Sequence, residues 1–134
     1  MFGERASPLS FAGPRRFHRP PLSLDELGRI DAVVLSHDHY DHLCAPTVRA
    51  LASGRVPGFS GRFVTTLGVG AHLERLGARP ELVVELDWGE GTRVEGAAGG
   101  SVDVVATPSQ HFSGRGALDR NATLWAGMAM IGPQ

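Results

Sequence analysis

Lysine is absent from this chain: all thirteen cationic residues are arginine. That excludes a mechanism built on a Schiff-base lysine. Cysteine is almost absent as well. The single Cys44 rules out an intramolecular disulfide and agrees with a reducing compartment. No apolar run approaches the about 20 residues that span a bilayer. The opening 1-MFGERASPLSFAGPRRFHRPP-21 has charges and prolines but no apolar core of a signal peptide. The expected location is therefore the cytoplasm. Neither sign of charge dominates, and a net charge of −1 gives no bulk attraction for nucleic acid or an anionic membrane. No internal repeat or heptad pattern is present.

What remains is ordinary in bulk and uneven in detail. A hydrophobic share of 42% and a charged share of 20% suit a globular protein. The 134 residues are expected to form one domain, 1–134, with 1–24 as an irregular Pro/Arg/Ser-rich segment. Eighteen glycines favour tight turns and short elements. A short helix is predicted from Ser23, stopped at Gly28. The β-branched run 30-IDAVVLS-36 predicts a strand buried on both faces. Helices are predicted over 46–53, between Pro46 and Gly54, and over 69–76, closed by Gly77. Further strands are predicted over 62–66, 81–87, 92–96, 102–108 and 122–131. Strands alternating with short helices, then strands in succession, give an α/β or α+β layered fold.

The chemistry concentrates in 36-SHDHYDHL-43, where three of the six histidines and two aspartates follow the end of the first predicted strand. Side chains at i and i+2 of an extended backbone project to one side. His37 and His39 can therefore ligate one ion, with Asp41 and His42 reaching a neighbouring position. Imidazole and carboxylate suit zinc, and also iron or manganese in mixed sites. A catalytic zinc takes three protein ligands and keeps one position open. His111, in 107-TPSQHFSGR-115 after another predicted strand, is the remaining candidate ligand. Lone histidines are more commonly structural, so His18 and His72 are assigned to structure, with His72 on a solvated helix face.

HxHxDH, here His37 to His42, resembles the hallmark of the metallo-β-lactamase-fold hydrolases. The block 107-TPSQHFSGRGALDRNATLWAGMAMIGP-133, with 87-DWGE-90 and 13-GPRRFHRPP-21, is similar to the branch containing N-acylphosphatidylethanolamine-hydrolysing phospholipase D. That resemblance implies a partial αββα sandwich, a mixed β-sheet with short helices on its outer face. It implies zinc as cofactor: His37, His39 and His111 on a first ion, Asp41 and His42 on a second. Asp41 is further implied as catalytic, orienting a metal-bound hydroxide that hydrolyses a phosphodiester. The implied substrate is a small-molecule or lipid phosphodiester. Lactone or ester hydrolysis in the same superfamily is the alternative activity.

The family pattern also carries a bridging aspartate and a final histidine downstream of the segment corresponding to 124–131. On that pattern the chain is expected to be a fragment truncated at both ends. It would carry one zinc where the complete domain carries two, which leaves a non-catalytic zinc-binding role as a further alternative. Around the site, Ser36, Gln110 and Asp119 are candidates to brace the imidazoles. Arg115 has the donors to grip a substrate phosphate and equally the position to pair with Asp119, and the sequence leaves both open. Trp88, Trp125 and Cys44 are read as packing residues.

Overall fold

The structure is a computed structural model that describes residues 2–9 and 11–132. Met1, Ser10, Pro133 and Gln134 belong to the segments read above at either end and lie outside the described residues. The irregular segment up to residue 24 is held by an isolated antiparallel bridge between Arg5 and Arg15. The helix expected at Ser23 is a single 3-10 turn, Leu24–Glu26, in which the Ser23 N–H donates to the Glu26 carboxylate at 2.8 Å. That is half of a capping box.

Two βαβ units follow: β1 (Ile30–Val34), α1 (Ala45–Ala52), β2 (Phe59–Thr66), α2 (Gly70–Arg75) and β3 (Val83–Leu86). They form a parallel sheet in the order β1-β2-β3. The hairpin β4 (Gly91–Glu95) and β5 (Ser101–Thr107) then pairs with β6 (Gly127–Ile131) in an antiparallel sheet, order β4-β5-β6. The strands thus divide between two sheets according to their connections. Parallel neighbours need helical crossovers, whereas antiparallel neighbours accept short turns.

Alternation along β2 decides which layer meets which. Phe63 points to a core with Val48 and Leu51 of α1 and Leu73 of α2. Val64, next along, points to a second core with Leu86 of β3, Val104 and Ala106 of β5, and Ala126. The helices therefore cover one face of the parallel sheet and the antiparallel sheet covers the other, as a partial αββα sandwich requires.

Three sequence expectations change. β1 is half-buried at every position rather than buried on both faces. Among the described residues it pairs only with β2, and β2 takes the central place. The segment 81–87 begins as a 3-10 turn, Pro80–Leu82, because Pro80 fixes a helical φ and lacks the N–H a ladder needs. The last strand starts at Gly127 rather than at residue 122. The preceding N–H groups are already committed: Leu124 donates to the Leu67 carbonyl at 2.8 Å and Ala126 to the Ser36 carbonyl at 3.0 Å. Residues 122–126 consequently lie across the C-terminal ends of β1 and β2, beside the histidine-rich turn.

Candidate metal centre

The turn begins where β1 ends. Leu35 still donates to the Val64 carbonyl at 2.9 Å, which keeps the chain extended into Ser36 and His37. It then folds on itself: the N–H groups of His42 and Leu43 both donate to the His39 carbonyl, at 3.0 and 2.7 Å. Leu43 and Cys44 are buried beneath it and anchor the start of α1.

His37 and His39 project to one side and His111 meets them from the end of β5. His37 Nε2 lies 3.0 Å from His39 Nδ1 and 3.0 Å from His111 Nε2, and His39 Nδ1 lies 3.2 Å from His111 Nε2. One ligand atom from each of the three lies within 4.8 Å of the others. Tetrahedral zinc with bonds of about 2.0–2.1 Å holds its nitrogens about 3.3 Å apart, so this triangle is the size a single ion requires. The donor set fits. His37 is buried, His39 half-buried and His111 exposed, so the triangle opens to solvent on the His111 side.

The electrostatics favour ligation. Burial, then the neighbouring charges of His42, His111 and His39, lower the His37 pKa to about 4 against the opposing pull of Asp41. The imidazole is thereby held neutral, the form that binds metal. Ser36 Oγ lies 2.9 Å from His37 Nδ1 and 3.2 Å from His42 Nδ1, where it can fix both rings. Asp41 and His42 stand outside the triangle and are exposed. Asp41 Oδ2 is 3.6 Å from His42 Nε2, and the His42 ring lies 4.1 Å from that of His37. The structure brings three of the five expected ligands together and leaves the other two beside them.

Asp38 is the residue the sequence reading passed over. Alternation sends its side chain away from His37 and His39 into the protein, where it is 1% exposed. One oxygen accepts the Gly114 N–H at 2.9 Å and the other lies 3.7 Å from His72 Nε2. His72 is therefore not on a solvated face: it is largely enclosed, and burial lowers its pKa against the pull of Asp38. Arg115 Nη1 donates to the carbonyls of Asp38 and Leu43, while its guanidinium lies 4.0 Å over the Tyr40 ring. Asp119 meets the backbone N–H groups of Arg115 and Gly116, at 3.0 and 2.7 Å, and so shapes the loop from its far side. Gln110 is exposed.

Below the loop, Asn121 adopts φ 58°, a left-handed conformation that asparagine tolerates better than most residues. Its N–H donates to the Ser113 carbonyl at 3.0 Å, and the buried Ser113 hydroxyl donates to the Thr123 carbonyl at 2.6 Å. The two tryptophans form an edge-on pair, 6.1 Å between centroids. Trp88 Nε1 donates to the Trp125 carbonyl at 2.6 Å, and Trp125 Nε1 donates to the Ser109 carbonyl at 2.9 Å. His18 lines a separate cavity of about 700 Å³ with Arg15, Arg16, Phe17 and Arg19. Among the described residues no helix is long and apolar enough to cross a membrane.

Comparison with known proteins gives a consistent result. Residues 6–134 match the family model described as a beta-lactamase superfamily domain. An uncharacterised protein of Mycobacterium tuberculosis is 46% identical over 134 residues, covering 99% of this chain and 33% of that protein. The N-acyl-phosphatidylethanolamine-hydrolyzing phospholipase D 1 of Caenorhabditis elegans is 36% identical, covering 98% of this chain and 37% of its own length. A mitochondrial N-acyl-phosphatidylethanolamine-hydrolyzing phospholipase D of Saccharomyces cerevisiae is 29% identical over 113 residues, covering 84% of this chain and 23% of its own length. The chain spans about a third of the length of the first of these relatives.

Proposed function

The chain belongs to the beta-lactamase superfamily, and on that premise we propose that it carries the zinc site of a metal-dependent hydrolase acting on phosphodiesters, with a lipid phosphodiester as the substrate class. The observation that carries the metal reading is the triangle of His37, His39 and His111 nitrogens, assembled from the ends of strands in two different sheets. The substrate class rests on the names of the worm and yeast relatives.

In this reading His37, His39 and His111 hold zinc. When bound, zinc acidifies a coordinated water to a pKa of about 7, which supplies a nucleophile at neutral pH. The chain's own residues do the rest. Burial keeps His37 neutral, Ser36 fixes its ring, and the exposed His111 side admits substrate. Asp41 orients the attacking water. Asp41 with His42 also offers the oxygen and nitrogen that a second ion would take.

The test has two stages. Elemental analysis of the chain purified in zinc-containing buffer is expected to find one zinc per molecule, reduced by His37→Ala or His111→Ala. Absence of zinc in the unsubstituted chain sinks the metal reading. Zinc-restored hydrolysis is then followed in parallel on bis(p-nitrophenyl) phosphate, an N-acylphosphatidylethanolamine and a lactone or ester panel. Turnover confined to the lactones or esters overturns the phosphodiester reading, and zinc binding without turnover of any of them leaves a zinc-binding module.

A further inference from the structure

We propose that Arg115 is a positioning residue, one that clasps the loop of His111 onto the turn of His37 and His39 and so sets the register of the three imidazoles; this rests on the metal-centre reading above. The need for such a device follows from the fold. His37 and His39 leave β1 of the parallel sheet, and His111 leaves β5 of the antiparallel sheet. Among the described residues no ladder pairs these strands, so packing between the sheets, not backbone pairing, holds the two strand ends together.

The clasp bridges that gap with bonds running in both directions. Arg115 Nη1 donates to the carbonyls of Asp38 and Leu43, which bracket the turn: Asp38 lies between His37 and His39, and Leu43 follows His42. In return Tyr40 donates its hydroxyl to the Arg115 carbonyl at 2.7 Å and lays its ring against the guanidinium at 4.0 Å. Asp38 completes the closure by accepting the Gly114 N–H at 2.9 Å. The Asp38 peptide adjoins His37 and His39, and the tied Gly114 and Arg115 follow His111 by three and four residues, so the clasp sets where the imidazoles point. Arginine suits the place because a planar guanidinium can stack on a ring while its edge donates to carbonyls, and an ammonium cannot do both.

Two carbonyls engage Nη1 and the Tyr40 ring covers the guanidinium, so the side chain is fixed against the turn. A role in stability alone would leave the metal geometry of the folded chain unchanged, and this separates the two explanations. The experiment measures zinc affinity by competition with a chromogenic chelator, and the visible spectrum of the cobalt-loaded chain. Arg115→Met keeps the aliphatic stem and removes the donors. It is expected to weaken zinc about 10–100-fold, the usual cost of losing a group that orients a ligand, and to lower the intensity of the cobalt bands as His111 withdraws.

Arg115→Lys should recover part of the affinity. Tyr40→Phe, which removes one hydrogen bond and keeps the ring, should cost a few-fold and serves if the methionine variant does not fold. Val48→Ala, a cavity in the α1 core, is the stability control and should leave affinity and spectrum unchanged. Clasp variants that bind zinc like the unsubstituted chain overturn the proposal, and so does a loss matched by Val48→Ala. An unsubstituted chain that binds neither metal overturns the metal centre itself, which is a distinct result.

Discussion

His37 shows how one side chain links stability to acidity. Its pKa is held at about 4 in the folded protein, against an ordinary 6.5, chiefly by burial. A histidine depressed in this way takes up its proton on unfolding, so its stabilising effect is complete above pH 6.5. It is lost as pH falls toward about 4. Denaturant titrations of the metal-free chain are therefore expected to show stability falling through that window, with a shallower fall in His37→Asn. Equal slopes in the two proteins would contradict this. Much of the residue-level chemistry was legible because four candidate metal ligands fall within six consecutive positions, and His111 was reachable because it follows a strand of its own. Asp38 was not, because among ligands an acidic residue reads as another ligand until the pleat shows that it faces inward. Arg115 was legible only as a cation, since its partners are backbone carbonyls and no residue type announces those.

At the scale of elements, the strand that launches the metal turn depends on a glycine. β1 and β2 shift register between Ile30 and Ala32, and opposite that shift a Cβ on Gly61 would overlap the Asp31 carbonyl. Gly61→Ala must push the two strands apart and is expected to cost about 1–3 kcal/mol, read as a lower urea midpoint. Gly99→Ser, in the hairpin loop where nothing approaches, tests how much of any loss is steric. Its own positive φ of 90° adds conformational strain, so a Gly61→Ala cost no larger than that of Gly99→Ser would refute the crowding argument. The elements themselves were largely readable: β-branched runs marked the strands, while Pro46, Gly54 and Gly77 punctuated the helices. Their pairing was not, because which strand lies beside which is a non-local outcome that local periodicity does not encode. The stretch 122–126 misled for the same reason. Ala126 is buried and Leu124 and Trp125 half-buried, but the N–H groups of Leu124 and Ala126 serve Leu67 and Ser36 instead of a ladder.

Over the whole molecule, the three histidines come together from the ends of strands in two sheets that share no ladder among the described residues. A metal that binds only when those sheets are docked should stabilise the whole arrangement. Free zinc at a hundredfold above its Kd contributes about 2.7 kcal/mol by linkage, on the order of 10 °C in Tm for a chain of this length. Scanning calorimetry with zinc and with chelator checks this, and coincident transitions would count against a site that spans both sheets. The tryptophan pair gives the same architecture an optical consequence. Trp88 and Trp125 are the only indoles in the chain. Trp125 holds the Ser109 carbonyl two residues ahead of His111, and Trp88 holds Trp125. Their ultraviolet emission is a built-in gauge of whether the His111 loop is seated, readable in the native protein without a dye or a label.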